Sequence, residues 1–198
     1  MPLPWSHPMS KPSDIDAEFE PRLIAFTGGP GSGKTTLLDA LAERGLARSE
    51  EAGRALIRDQ TAIDGPALPW RDRAAFAEQM LGFEMRSHRL GLARAGLVLF
   101  DRGVPDVIGY LRLCGLPVPD HVWRAARRFR YRREVFIAPF WPKIYRTDAE
   151  RKQTPDEAQR TFHAVADAWR ECGYTLVELP LAGVAERVDF VLARMKDG

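Results

Sequence analysis

Residues 28–35 of this chain follow the pattern G-x-x-x-x-G-K-[ST], with Gly28, Gly33, Lys34 and Thr35 at the fixed positions. A turn that wraps around phosphates must point several backbone N–H groups inward, and glycines allow the dihedral angles and close approach that this requires. In such a loop the lysine reaches the β- and γ-phosphates of a nucleotide, and the threonine hydroxyl is a ligand for Mg²⁺. We therefore predict a P-loop in which the nucleotide is bound by Gly29, Pro30, Gly31, Ser32, Gly33, Lys34, Thr35 and Thr36.

The segments on either side of this loop agree with that prediction. Residues 22–27 form a short apolar run that is typical of a buried parallel strand. Residues 35–44 have the pattern of a helix, and Gly45 directly after them is a stop signal. A strand, a glycine-rich loop and a helix in this order place bound phosphates at the helix N-terminus.

Asp101 is the first carboxylate that could take part in chemistry, because it ends the apolar run 97–100. A carboxylate at the C-terminal end of a strand beside the P-loop strand can meet Mg²⁺ directly or through water. Capping of the following helix is the alternative role, and it does not exclude contact with the metal. Asp101 is thus predicted as a metal ligand and a catalytic residue.

Glu50 and Glu51 are the second candidates, since they follow the predicted second strand, residues 45–49, one crossover after the P-loop. In P-loop kinases this region faces the phosphoryl acceptor, where a carboxylate can accept a hydroxyl proton or hold Mg²⁺. The alternative is an acidic first turn of a surface helix over residues 50–58, which suits the positive end of the helix dipole. The preference for Glu51 rests on the resemblance described below.

Two basic segments follow further along the chain. Residues 140–152 are polar and charged and predict a flap, whose Arg146 and Arg151 could stabilise negative charge on a transferring phosphoryl group. A solvated surface segment is the alternative. Residues 105–132 have a helical and basic pattern, and six arginines occur among the eleven residues 123–133. Nucleic-acid binding is the less favoured explanation of this cluster, because arginines at helical spacing spread around the helix and several are simply solvated.

Length and composition fit one domain of an ordinary globular protein. The chain has 198 residues, 45% of them hydrophobic and 28% charged, and its net charge of +2 is too small to indicate nucleic acid by itself. Cys114 and Cys172 are far apart without metal-ligand spacing, which favours reduced thiols in the cytoplasm. Neither a membrane-spanning apolar run nor the apolar core of a signal peptide is present, so no contact with a membrane is expected.

Predicted strands alternate with predicted helices along the chain, which indicates an α/β fold with a doubly wound parallel sheet of about five strands. Ligands of such sheets bind at the C-terminal ends of the strands, where the P-loop, Glu51 and Asp101 would meet. We predict a flexible N-terminal tail over residues 1–20 and a kinase-like domain over residues 21–198 with a lid at about 140–154.

Several motifs together resemble the small bacterial AAA-type ATPase/kinase family that is related to the nicotinamide riboside kinase domain. The motifs are the P-loop, Glu-Glu-Ala-Gly-Arg at 50–54, Leu-Pro-Trp at 68–70, Asp-Arg-Gly at 101–103 with Asp106, and residues 145–151 of the flap. The resemblance covers about residues 22–195 and implies a P-loop NTPase of the nucleoside/nucleotide kinase type, with sheet order 2-3-1-4-5, ATP and Mg²⁺. It also implies a phosphoryl acceptor near Glu51, Arg54, Asp101 and Arg102.

The sequence therefore predicts an ATP-dependent kinase that acts on a small hydroxyl-bearing, nucleoside-like metabolite. ATP is favoured over GTP because the guanine-recognition motif N-K-x-D does not occur. The alternative is an ATPase that regulates a protein or nucleic-acid partner and docks through residues 124–133, and a third option is phosphorylation of a nucleic-acid end. The identity of the acceptor and the oligomeric state stay open at this point.

Overall fold

The computed structural model describes residues 17–143 and 154–196. Its centre is a five-stranded sheet in the order β2-β3-β1-β4-β5, in which every neighbouring pair is parallel. The predicted fold class and strand order are both confirmed. The strands are β1 (Leu23–Gly28), β2 (Ala47–Arg48), β3 (Val98–Asp101), β4 (Glu134–Ala138) and β5 (Thr175–Glu178).

Helices cover both faces of this sheet. They are α1 (Lys34–Ala42), α2 (Ala52–Ala62), α3 (Arg73–Leu92), α4 (Val104–Leu113), α5 (Asp120–Arg128), α6 (Pro155–Glu171) and α7 (Val184–Lys196). In β1, Ile24 and Phe26 pack with residues of α1 and α7, whereas Leu23 and Ala25 pack with residues of α6. Because both faces are buried, β1 is apolar throughout rather than alternating.

Two helix predictions are wrong in detail. The single helical region over residues 105–132 is in fact α4 and α5, separated by a linker in which Gly115 has a φ of 69°. Pro117 and Pro119 in the same linker cannot continue a helix. Residues 50 and 51 do not form the first turn of a helix either, because α2 begins at Ala52 and the extended Glu51 is its N-cap.

Part of the arginine-rich segment is built into the fold. Arg130 is buried, donates to the Cys172 carbonyl at 2.8 Å, and lies 4.3 Å from the ring centroids of both Phe19 and Tyr174. Phe19 also meets Tyr174 edge-on, so this end of residues 1–20 packs against the domain. Arg124 and Arg128 on α5 are exposed. No helix among the described residues is long and apolar enough to cross a membrane.

Candidate active site

The P-loop joins β1 to α1 and has the backbone geometry that its glycines predict. Gly28, Gly31 and Gly33 have φ angles of 126°, 71° and 79°, a region that side chains with a Cβ rarely adopt. A Cβ atom on Gly28 would also lie 2.3 Å from the carbonyl oxygen of Ala138 in β4. The loop can therefore approach β4 this closely only with glycine at position 28.

Lys34 is held against the loop backbone. Its ammonium group donates to the carbonyls of Gly29 at 2.9 Å and Gly28 at 3.3 Å and to the Ser32 hydroxyl at 3.3 Å. Burial, helped by the nearby charge of Arg102, lowers the pKa of Lys34 to about 8. The ammonium group thus lies within the concave loop, as the P-loop motif predicts.

Asp101 ends β3 next to the P-loop strand, and one oxygen of its carboxylate is suited to binding a metal. It is 4% exposed, and its Oδ1 atom has no hydrogen-bond partner among the described residues. Burial, together with the charge of Glu51, raises the pKa of this carboxyl group. A buried carboxylate oxygen without a donor is costly unless a cation or water meets it.

Mg²⁺ would meet few protein ligands here. Among the described residues, no group of three or more His, Cys, Asp or Glu side chains could hold a metal ion. That agrees with the usual binding of Mg²⁺ in phosphoryl-transfer sites, which uses one or two carboxylates, waters and substrate phosphates. Thr35 lies in the first turn of α1 and is half-buried, so it remains the second predicted ligand.

Glu51 faces the site from the N-terminus of α2. Its carboxylate pairs with Arg54 Nε at 3.1 Å and with Arg102 Nε at 3.3 Å. Burial alone would raise the pKa of Glu51, but the charges of Arg102, Lys34 and Arg54 outweigh burial and lower this pKa. Glu50 points away, is exposed and pairs with Arg58. Glu51, and not its neighbour, is thus the carboxylate that shares the electrostatic environment of the P-loop.

Arg102 connects three parts of the site. Its φ is 82°, and its backbone N–H donates to the Phe26 carbonyl at 2.8 Å. Its guanidinium group donates to the Gly28 carbonyl at 3.3 Å, to Glu51 at 3.3 Å and to Asp106 at 3.0 Å. Burial opposes its charge, but Asp106, Glu51 and Asp101 together raise its pKa. That Arg102 contacts the phosphoryl acceptor stays a prediction. The same is true of Arg54, whose side chain is more exposed.

Asp106 was not among the predicted site residues, yet it accepts four hydrogen bonds. The donors are the Thr27 hydroxyl at 2.6 Å, the Trp169 indole at 2.9 Å, Arg102 at 3.0 Å and the Gly103 backbone N–H at 3.1 Å. The sequence named it only as part of a family motif, and its position three residues after the N-cap of α4 is the signal for its bond to the Gly103 N–H. Asp106 thereby joins β1, the β3–α4 turn and α6 beneath the P-loop.

Glu84 is a second group that the sequence did not single out. It lies on the buried face of α3, between Leu81 and His88, and is 4% exposed. Burial, and next the charge of Asp106, raise its pKa well above the usual value. A carboxyl group on an otherwise apolar helix face at helical spacing is the signal for such a residue.

Replacing Glu84 with Gln is expected to stabilise the protein at high pH. A carboxyl group with a raised folded-state pKa contributes stability below its unfolded-state pKa of about 4.3, and this is lost as the pH rises through the folded-state value. Glutamine does not ionise, so we expect the variant to unfold with a free energy about 1–3 kcal/mol higher than the wild type at pH 8. The difference in unfolding free energy between this variant and the wild type should be smaller at pH 5.

Urea titrations at the two pH values measure this difference. Glu186→Gln on the exposed surface of α7 is the control and should show little difference from the wild type at either pH. An equal effect of Glu84→Gln at pH 5 and pH 8 would contradict the prediction.

The predicted flap residues Arg146 and Arg151 lie outside the described residues. The described chain resumes at Thr154, which caps α6: its hydroxyl accepts from the Glu157 N–H at 3.2 Å, and the Glu157 carboxylate accepts from the Thr154 N–H at 2.7 Å. This is the helix start that Thr154, Pro155 and the acidic residues after them predict.

Known proteins have the same fold as this chain. The family described as an AAA domain matches residues 23–187, whereas no curated protein matches the chain. A solved structure of deoxyadenosine kinase from M. mycoides, with dCMP and dCDP bound, has 11% identity and a TM-score of 0.64 over 89% of this chain and 100% of that chain.

Two further solved structures have the same fold. NadR in complex with NR has 17% identity and a TM-score of 0.66 over 89% of this chain, which spans 50% of the NadR chain. Thymidylate kinase from Ehrlichia chaffeensis has 16% identity and a TM-score of 0.56 over 88% of this chain and 96% of that chain. At these identities the likeness concerns the fold.

Proposed function

Because this chain belongs to the AAA domain family and has the P-loop fold of nucleoside and nucleotide kinases, we propose that it is an ATP-dependent kinase. Its acceptor would be a hydroxyl group of a small, nucleoside-like metabolite. The observation that carries the proposal is the meeting of Lys34, Glu51 and Asp101 at the C-terminal edge of the sheet, where the charge of Lys34 acts on the pKa of both carboxyl groups. Phosphoryl transfer depends on such positioned charges rather than on covalent chemistry by the protein.

The donor half of the site would be the P-loop. The backbone N–H groups of Gly29 and of residues 31–36 would bind the phosphates of ATP, and Lys34 would leave the loop carbonyls for the β- and γ-phosphates. Thr35 and Asp101 would hold Mg²⁺, which when bound neutralises negative charge on the phosphates. The unpartnered Oδ1 atom of Asp101 supports this assignment.

The acceptor half would lie between Glu51 and Asp101, with Arg54 and Arg102 at its border. The acceptor oxygen forms a bond to the γ-phosphorus while the bond from that phosphorus to the β–γ bridging oxygen breaks, and ADP leaves. The acceptor's hydroxyl proton would pass to Glu51 or Asp101. Arg146 and Arg151 are proposed to close over the γ-phosphoryl group and exclude water.

Residues 21–198 would form the kinase domain with its lid at about 140–154, preceded by the tail of residues 1–20. The unpaired Cys114 and Cys172 support a place in the reducing cytoplasm.

Release of ADP from Mg·ATP, measured with a panel of nucleosides, related metabolites and short oligonucleotides, tests this function. We expect one acceptor class to raise turnover well above a control without acceptor and to give a phosphorylated product by mass. Lys34→Ala should abolish that stimulation. Stimulation that survives in Lys34→Ala would contradict the proposal.

Regulation of a partner by ATP hydrolysis is the second candidate function. The exposed Arg124 and Arg128 on α5 favour it, because they could dock an acidic surface. It would be supported by tight ATP binding with slow hydrolysis that no small acceptor stimulates. An oligonucleotide end that is phosphorylated in the same panel, with salt-sensitive binding, would instead indicate a nucleic-acid kinase.

A further inference from the structure

Arg187 on α7 reaches the P-loop from a part of the chain that no motif includes. Its Nη1 group donates to the Ser32 carbonyl at 2.8 Å, and its Nε group donates to the Pro180 carbonyl at 2.8 Å. The guanidinium carbon lies 5.0 Å from the centroid of the Trp141 ring. Arg187 thus ties the P-loop to the segment after β5 and to the segment after β4.

The charge of Arg187 is buried, and the described residues offer it no counter-charge. The residue is 2% exposed, no carboxylate among these residues shifts its pKa, and its Nη2 atom has no hydrogen-bond partner among them. Burial lowers its pKa. Since burying a charge without a counter-charge is costly, a guanidinium group at this position indicates a function beyond packing.

The hydrogen bond to Ser32 fixes the orientation of one peptide unit of the loop. In a planar trans peptide, the carbonyl of one residue and the N–H of the next point in opposite directions. When Arg187 holds the Ser32 carbonyl from the side of α7, the N–H of Gly33 must point to the other side. The left-handed conformation of Gly33 begins α1 at this place, where phosphates bind to N–H groups.

We infer that Arg187 is a positioning residue for nucleotide phosphates. By holding the Ser32 carbonyl, Arg187 turns the Gly33 N–H toward these phosphates. The inference rests on the proposed function and deepens it, because it adds to the site a residue 155 positions away from Ser32. Arg187 also supplies positive charge beside the loop, which the phosphates of ADP or ATP would compensate.

Calorimetric titration of Arg187→Met with ADP, ATP and adenosine tests the inference. Methionine keeps an apolar stem against Trp141 but removes the donors and the charge. We expect the affinity for ADP and ATP to fall about 10- to 100-fold, the range for loss of charged hydrogen bonds, and the affinity for adenosine to stay within about twofold. The dependence on phosphate is the result that loss of packing alone would not give.

Arg194→Met is the matched control, because it removes the same charge from the same helix. Arg194 pairs with Glu134 at the surface, away from the P-loop. The control should bind all three ligands as the wild type does. Thermal unfolding of each variant shows whether the protein used is folded.

If Arg187→Met does not fold, Arg187→Lys takes its place, because an ammonium group keeps the charge but lacks the planar fork that holds two carbonyls. The same phosphate-dependent loss is expected. Wild-type affinity of the folded variant for ADP, or an equal loss for adenosine, ADP and ATP, would overturn this inference alone. A wild-type protein that binds neither ADP nor ATP would overturn the proposed function as well.

Discussion

Asp106→Ala is expected to lower the free energy of unfolding by about 3–5 kcal/mol, the range for breaking a buried charged network. The side chain is 6% exposed and has four donors, from Thr27, Arg102, Gly103 and Trp169. Alanine would leave the donors of Thr27, Gly103 and Trp169 buried without this acceptor, and it would remove one of the two carboxylates that pair with Arg102. Both effects lower the free energy of unfolding.

Two milder variants separate the contributions. Asp106→Asn keeps the size of the side chain, but its NH₂ group would face donors, so we expect a loss close to that of alanine. Trp169→Phe removes only the indole N–H and part of the ring area, and it should cost about 1–3 kcal/mol. Chemical denaturation followed by circular dichroism gives each free energy.

Asp167→Ala is the control for this series. Asp167 lies on α6 two residues before Trp169, is 62% exposed and pairs with Arg170 at the surface. Its replacement should change stability by less than about 0.5 kcal/mol. An Asp106→Ala protein as stable as this control would show that the four hydrogen bonds do not support the fold.

The sheet and the P-loop could be predicted because their signals are local. The apolar run of β1, the glycine spacing of the loop and the capping residues Thr154 and Glu157 each lie within a few adjacent positions. Strand order is not local, and it came from the resemblance to a family. The break between α4 and α5 was also local, since Gly115, Pro117 and Pro119 stand in the sequence, but helical periodicity on both sides obscured it.

The support of the site could not be predicted, because its contacts join residues that are distant in sequence. Thr27 and Asp106 are 79 positions apart, and Ser32 and Arg187 are 155 positions apart. The packing of α3, α6 and α7 determines which polar groups become buried beneath the loop. Sequence composition does not predict this packing. The place of Glu84 on the apolar face of α3 is a local signal, but the nearness of its carboxyl group to Asp106 depends on this packing.

Glu51→Gln and Asp101→Asn are expected to lower turnover in different ways. Glu51 is held ionised beside Arg54 and Arg102 and is proposed to take the acceptor proton, so its amide should lower kcat by about 10²- to 10⁴-fold at every Mg²⁺ concentration. Asp101 is proposed to bind Mg²⁺ through an oxygen that lacks other partners. Its amide should shift the Mg²⁺ midpoint upward by about tenfold or more, with part of the activity restored at high Mg²⁺.

Steady-state rates over a series of Mg²⁺ concentrations, with the acceptor found in the panel, distinguish the two roles. Glu50→Gln is the matched control for Glu51→Gln, because Glu50 is the adjacent residue but is exposed and pairs with Arg58. It should leave both kcat and the Mg²⁺ midpoint unchanged. If the shift in midpoint appears in Glu51→Gln and the Mg²⁺-independent loss in Asp101→Asn, the roles of the two carboxylates are exchanged. Because neither carboxylate belongs to the P-loop, the binding of ATP itself should survive in both variants.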